Sequence, residues 1–198
     1  MKYYCIVDFE CTCDCEQQQV KEIIEFAAVF VHPISYEIDF EFRRLIKPTE
    51  NPVLSDYCIS LTGLTQVDVD DAPKLSDVLH DFKEFTISNE IEFQLVTDCS
   101  ADVVKFLAPE CRRKRIPLPR WCLKWLDLGQ LFKAKFSLKT RRSLKTMLDM
   151  CNLELQGRHH SGIDDARNIA QLFIYFAKTG SRVTTNRNLP TLAKDVFQ

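Results

Sequence analysis

The chain has 198 residues and a mass of 23.0 kDa, room for one ordinary domain. Hydrophobic residues at 45% and charged residues at 27% exclude a disordered chain, and every apolar run falls far short of the ~20 residues a membrane span needs. The formal net charge of -2 conceals an asymmetry: 13 of the 26 basic residues lie between Lys105 and Lys145, with only Glu110 and Asp127 as acids there, which favours a polyanionic partner.

In chain order, residues 3–9 form a short apolar run rich in strand formers and predict a buried strand. Residues 22–31 predict a second. His32-Pro33-Ile34-Ser35 reads as a turn into a third, antiparallel strand over 36–46. Pro48 and Pro52 break the next segment. Apolar residues at 75, 78, 79, 82 and 85 have the helical period. Phe93–Thr97 predicts a fourth strand, with a helix from about Ser100 that Pro109 ends or kinks. A fifth strand is expected over Trp121–Leu128, then a short helix and a longer one near 142–151. The last strong helix runs from about Gly162 to Lys178, with Gly180 placed to end it, and a loose tail is expected after that. Three strands followed by alternating strands and helices indicate an α/β layer structure.

Nine cysteines, an odd number, argue against a disulfide framework. Cys11, Cys13 and Cys15 alternate, whereas structural zinc sites pair cysteines two to four residues apart, so reduced thiols are expected. The opening residues Met1 to Asp8 become charged too soon for a signal peptide, and the reading is an intracellular protein of cytoplasm or nucleus.

The first strand ends Asp8-Phe9-Glu10. Residues two apart on a strand share a face, so two acids project together from a buried element. Like charges at that range are unfavourable unless protonated or bound to cations. A second group lies in Arg158-His159-His160-Ser161-Gly162-Ile163-Asp164-Asp165. Ser161 reads as an N-cap and Asp164 as its capping-box partner. Asp165 shares a helical stripe with Ile169, Leu172 and Phe176, so it is the acid on the buried face and needs a partner. A third group is Thr97-Asp98-Cys99-Ser100-Ala101-Asp102, in which the residues alone leave Asp98 and Asp102 open.

These segments together resemble the three motifs of the DEDDh exonucleases, nearest the ERI-type, histone-mRNA 3′-exonuclease branch. The likeness is carried by Asp8-Phe9-Glu10-Cys11-Thr12-Cys13, Glu22-Ile23-Ile24-Glu25-Phe26, residues 54–65, Asp98 to Val103, and His160 with Asp165 five residues on. It spans residues 3 to about 178. It implies a ribonuclease-H-like α/β fold: a mixed five-stranded sheet with flanking helices, its first three strands an antiparallel meander. It further implies an exonuclease domain over 1–180 and a C-terminal tail over 181–198.

By the same resemblance Asp8, Glu10, Asp102 and Asp165 hold two Mg²⁺ or Mn²⁺ ions and His160 is the general base, with His159 a decoy. Asp8 bridges both ions, Glu10 and Asp165 hold the one carrying the nucleophilic water, and Asp102 holds the second. The activity implied is 3′→5′ hydrolysis of RNA, with DNA a further substrate, releasing 5′-mononucleotides. Leu61, Thr62, Gly63 and Leu64 match the segment that walls the terminal nucleotide, beside His160. Phe9 and Cys11 alternate with the acids, so their backbone amides rather than their side chains are the expected contacts. Arg112, Arg113, Lys114, Arg115, Lys139, Arg141 and Arg142 are the candidates for the nucleic-acid backbone. Trp121 and Trp125 read as core. Ala101 stands where the family carries an aromatic residue. The competing reading is a catalytically idle nucleic-acid-binding or scaffolding module on the same fold.

Overall fold

The computed structural model describes residues 2–14 and 20–189. The sheet forms first from β1 (Lys2–Cys11), β2 (Ile23–Val31) and β3 (Ile38–Leu45), an antiparallel meander as expected. Every residue of β2 is buried, which suits a run that is apolar but for Glu25 in a strand covered on both faces. β4 (Glu92–Thr97) and β5 (Lys124–Asp127) then add in parallel beside β1.

A sixth strand, β6 (Arg187–Asn188), pairs antiparallel with β5 and completes the order β3-β2-β1-β4-β5-β6. This corrects both the five-strand expectation and the loose tail. Asn186 pins the segment with its side chain, accepting from the Asp127 N–H at 2.8 Å and donating to the Asp127 carbonyl at 3.0 Å. The tail beyond Leu189 and Cys15, the third of the alternating cysteines, lie outside the described residues.

Among the described residues, seven α-helices flank the sheet. α3 (Leu75–Ser88) lies where the period placed it. α1 (Asp56–Thr62) and α2 (Gln66–Asp70) are too short to show a period in sequence. After β4 the chain makes a π-helical turn over Asp102–Leu107 and continues as α4 (Ala108–Arg113). Pro109 therefore does not end the helix. The wider turn carries the Ala108 N–H to the Val103 carbonyl, and Pro109 sits in the first turn of α4, where a missing N–H costs little. The expected fifth strand is shorter than its apolar run, because Arg120–Leu123 winds as a 3₁₀ turn. α5 (Leu128–Lys135), α6 (Leu144–Met150) and α7 (Gly162–Lys178) complete the set.

Alternation along β1 divides its side chains between two cores. Cys5, Val7, Phe9 and Cys11 enter one core with Phe26, Phe82 and Trp125. Trp121 packs against the same core, so both tryptophans are core residues as expected. Ile6 enters the other core, beneath Ile169, Phe173 and Phe176 of α7. Asp8 and Glu10 continue the Ile6 side, so the strand aims both acids towards the start of α7. No helix among the described residues is long and apolar enough to cross a membrane.

Candidate active site

A cleft of about 400 Å³ opens where β1 and β4 end and α7 begins. It is lined by Asp8, Glu10, Asp102, Asp165, His159 and His160, so residues from three distant segments meet there. The carboxyl ends of parallel strands are where α/β sheets gather functional groups. Asp8, Glu10 and Asp165 each offer an oxygen within 4.8 Å of the others. Asp102 stands outside that triplet; its Oδ1 accepts the Phe9 N–H at 3.4 Å.

The electrostatics of this cup are strained. Burial first, then Asp102, Glu10, Asp165 and Asp98, drive the Asp8 carboxyl well above the usual range. Burial, with the charge of Asp165 second, pushes Glu10 up to about 8. Burial and Asp98 raise Asp102 to about 7. Hard oxygen donors that repel one another when ionised are the donor set a divalent cation neutralises, so the residues present fit a metal site.

Asp98 lies in the same cleft but is held by the Arg141 guanidinium. Burial lifts its carboxyl to about 6 against that pairing. It does not cap the next helix. Ser100 donates instead to Asp127 at 2.7 Å, and Asp127 caps α5 through the Gln130 N–H.

Both histidines approach Asp165, one by its ring and one by its backbone. The Nδ1 of His159 lies 3.0 Å from Asp165 Oδ2, and the His160 backbone N–H donates to the same oxygen at 2.9 Å. The His160 ring stacks on that of His159 with centroids 3.9 Å apart. His160 takes φ +66°, a left-handed turn that lets consecutive residues face one carboxylate. Burial and the neighbouring His159 lower the His160 pKa below 6.5.

The capping box is absent as well. Ser161 makes no side-chain cap bond among the described residues. Asp164 instead accepts the Arg158 N–H at 3.0 Å and pairs with Arg167 at 3.2 Å. Asp165 is nearly closed to solvent, 4% exposed, as its stripe implied.

Of the segment expected to wall a nucleotide, Leu61 alone lines the cleft. Thr62 turns inward and donates to the Cys58 carbonyl at 2.9 Å. Leu64 packs with Ile24, Leu54 and Val69. Gly63 ends α1 at φ +76°, and a Cβ there would lie 1.3 Å from the Arg158 guanidinium, so its backbone is approached by Arg158. Phe9 and Cys11 bury their side chains in the core while their backbone borders the cleft, and the Phe9 amide is already given to Asp102.

The basic candidates separate by surroundings. Lys114 is drawn between Glu22 and Glu110, 2.6 Å from each, with its side chain only 14% exposed. Arg113 pairs with Glu50 at 3.1 Å. Arg112, Arg115, Lys139 and Arg142 are exposed, and Arg141 lines the cleft. Lys21, Phe106 and Arg141 are cleft residues whose placement sequence reasoning did not foresee. Glu25 had no role beyond its motif, although an acid inside an all-apolar strand was a visible signal.

The profile of the exonuclease family described by RNase T matches residues 5–173. The 3′-5′ exoribonuclease 1 of Rattus norvegicus is 34% identical over 194 residues, covering 94% of this chain and 56% of its own length. The ERI1 exoribonuclease 2 of Danio rerio is 37% identical over 186 residues, covering 84% and 33%. The chain thus spans about half or less of the length of such relatives. The solved nuclease domain of 3'hExo, a DEDDh family member bound to rAMP, superposes with a TM-score of 0.91 at 33% identity, over 95% of this chain and 98% of that one. The architecture is therefore the ribonuclease-H-like fold.

Proposed function

The chain belongs to the exonuclease family, and from that membership we propose that it is a divalent-metal-dependent 3′→5′ exoribonuclease that releases 5′-mononucleotides. The observation that carries this reading is the meeting of Asp8, Glu10, Asp102 and Asp165 in one cleft beside two histidines. A scaffolding module has no use for four clustered acids, three of them buried and Asp8 half-buried, which lower the stability of the metal-free fold.

Asp8, Glu10 and Asp165 would hold the metal through their converging oxygens, with Asp102 serving a second ion of Mg²⁺ or Mn²⁺. Bound there, such ions supply Lewis acidity towards a phosphodiester and lower the pKa of water. His160 accepts the proton of the attacking water. Its ring bonds to no carboxylate among the described residues, and its lowered pKa keeps it neutral near pH 7. His159 sits 3.0 Å from the Asp165 carboxylate and would share or release it where that carboxylate held a cation.

RNA is the favoured substrate, on the strength of the relatives named 3′-5′ exoribonucleases, with DNA a second. The exposed Arg112, Arg115, Lys139 and Arg142 supply charge for the upstream strand. The domain extends at least to Leu189, and its eight described cysteines, all free, suit a reducing intracellular setting. A time course on matched 5′-labelled RNA and DNA, with and without chelator, tests the reading. The expected result is a ladder shrinking from the 3′ end only with Mn²⁺ or Mg²⁺; strands left whole under all conditions would overturn it.

A further inference from the structure

We propose that Glu25 is a positioning residue that fixes the first turn of α7, and with it Asp165, against Glu10. The inference rests on the exonuclease reading of the cleft and assigns a task to a buried acid outside the four.

Glu25 pairs directly across β1–β2 with Glu10, so both side chains leave the sheet on the same face. Its side chain is 1% exposed. Two groups satisfy it. The Arg43 Nε donates to Oε1 at 2.7 Å, and the Gly162 N–H donates to Oε2 at 3.1 Å. Gly162 is the first residue of α7, and Asp165 lies three residues further along the same turn.

A helix start leaves its first N–H groups without intrahelical acceptors, and a neighbouring side chain ordinarily caps them. Ser161 supplies no such bond. The acceptor comes instead from a strand residue 137 positions away. The approach is close: a Cβ on Gly162 would lie 3.1 Å from the Glu25 Cδ and 3.2 Å from Oε2. Position 162 therefore suits glycine for space.

β3 supports the start of α7 in two ways, through Glu25 at the first turn and through Arg167 at the second. Arg43 neutralises Glu25, and Glu41 holds Arg167 through contacts of 2.9 and 2.6 Å. The outer pair is exposed and screened, with Arg167 42% and Glu41 34% exposed. The inner bond is shielded and directional, so it decides where the turn sits. Since Glu10 and Glu25 share one strand pair, the Gly162 bond refers Asp165 to the same frame that carries Glu10 and Asp8. A misplacement of about 1 Å in such a constellation costs about a hundredfold in rate.

The test compares E25A, G162A and E25Q. The amide of E25Q keeps one acceptor oxygen for two donors, the Gly162 N–H and the Arg43 Nε–H, so it retains the Gly162 bond in part, whereas E25A removes the acceptor altogether and G162A pushes the turn away. Each is assayed per folded molecule, with the folded fraction from circular dichroism, and Mn²⁺ binding is followed by electron paramagnetic resonance. E25A and G162A should lower kcat by about tenfold or more with KM for an oligonucleotide nearly unchanged, and should weaken Mn²⁺ binding by a similar factor. E25Q should fall between wild type and E25A in both, and the double variant should be no worse than the weaker single one, as residues sharing one contact are not additive. Should E25A fail to fold, G162A and E25Q carry the comparison. Loss of thermal stability in G162A with wild-type kcat and Mn²⁺ affinity would overturn the proposal. If no variant and no wild-type protein hydrolysed RNA, the exonuclease reading would fall, while the Mn²⁺ titration would still judge the placement of Asp165.

Discussion

His159 Nδ1 lies 3.0 Å from Asp165 Oδ2, while His160 bonds the same oxygen through its backbone N–H and stacks its ring on that of His159. The histidine nearer the acid is thus the one that a metal must displace, and the one further away keeps its ring for chemistry. H160A should cost about a hundredfold or more in kcat, and H159A distinctly less. Steady-state kinetics on one RNA substrate decides between them; the reverse order would transfer the base to His159.

The pH profile depends on the same ring. Burial and His159 lower the His160 pKa, so the neutral, proton-accepting form persists below pH 6.5. Under saturating Mg²⁺, kcat should rise with pH to a plateau whose half-point lies below 6.5. A half-point well above that value would show that another group takes the proton.

Metal-free stability should move the opposite way. Glu10 is raised from 4.5 to about 8 and Asp102 from 3.8 to about 7. Between those limits the folded state binds more protons than the unfolded state, so stability falls as pH rises from about 4 to 8. The loss is on the order of a few kcal/mol. Urea melts in chelator across that range measure it, and saturating Mn²⁺ should flatten the slope. A metal-free slope of zero would show that neither burial nor mutual repulsion raises these carboxyls in the folded state.

D8N tests charge against chemistry in one protein. It should abolish hydrolysis, yet raise the metal-free midpoint at pH 8, because one repelling charge leaves the cup. Substantial residual activity would refute the metal assignment.

The basic run should split into two phenotypes. K114M leaves Glu22 and Glu110 buried without their shared cation and should cost about 3–5 kcal/mol of stability. R112E with R115E should leave the melting temperature alone, weaken binding to long RNA and flatten its salt dependence. Fluorescence anisotropy at two salt concentrations, beside thermal melts, separates them.

Much of this site was legible in the sequence because short-range periodicity decides it. Asp8 and Glu10 share a face because strands alternate, and Asp165 is buried because its stripe also carries Ile169, Leu172 and Phe176. The strand 187–188 was not legible, since two residues carry no period and are held by Asn186 against Asp127. Pro109 misled for a related reason: its effect depends on whether the preceding turn is α or π.

By itself, then, the chain determined which residues are acids, which faces carry them, and the meander whose first strand holds Asp8 and Glu10, since all of these rest on local backbone geometry. Tertiary structure alone decided that His159 rather than His160 turns its ring nitrogen to Asp165, that Lys114 is spent between two glutamates, and that Glu25 meets Gly162. Those contacts depend on how α7, α4 and the sheet pack together. Such packing sets distances between residues far apart in the chain, which no pattern of neighbours encodes.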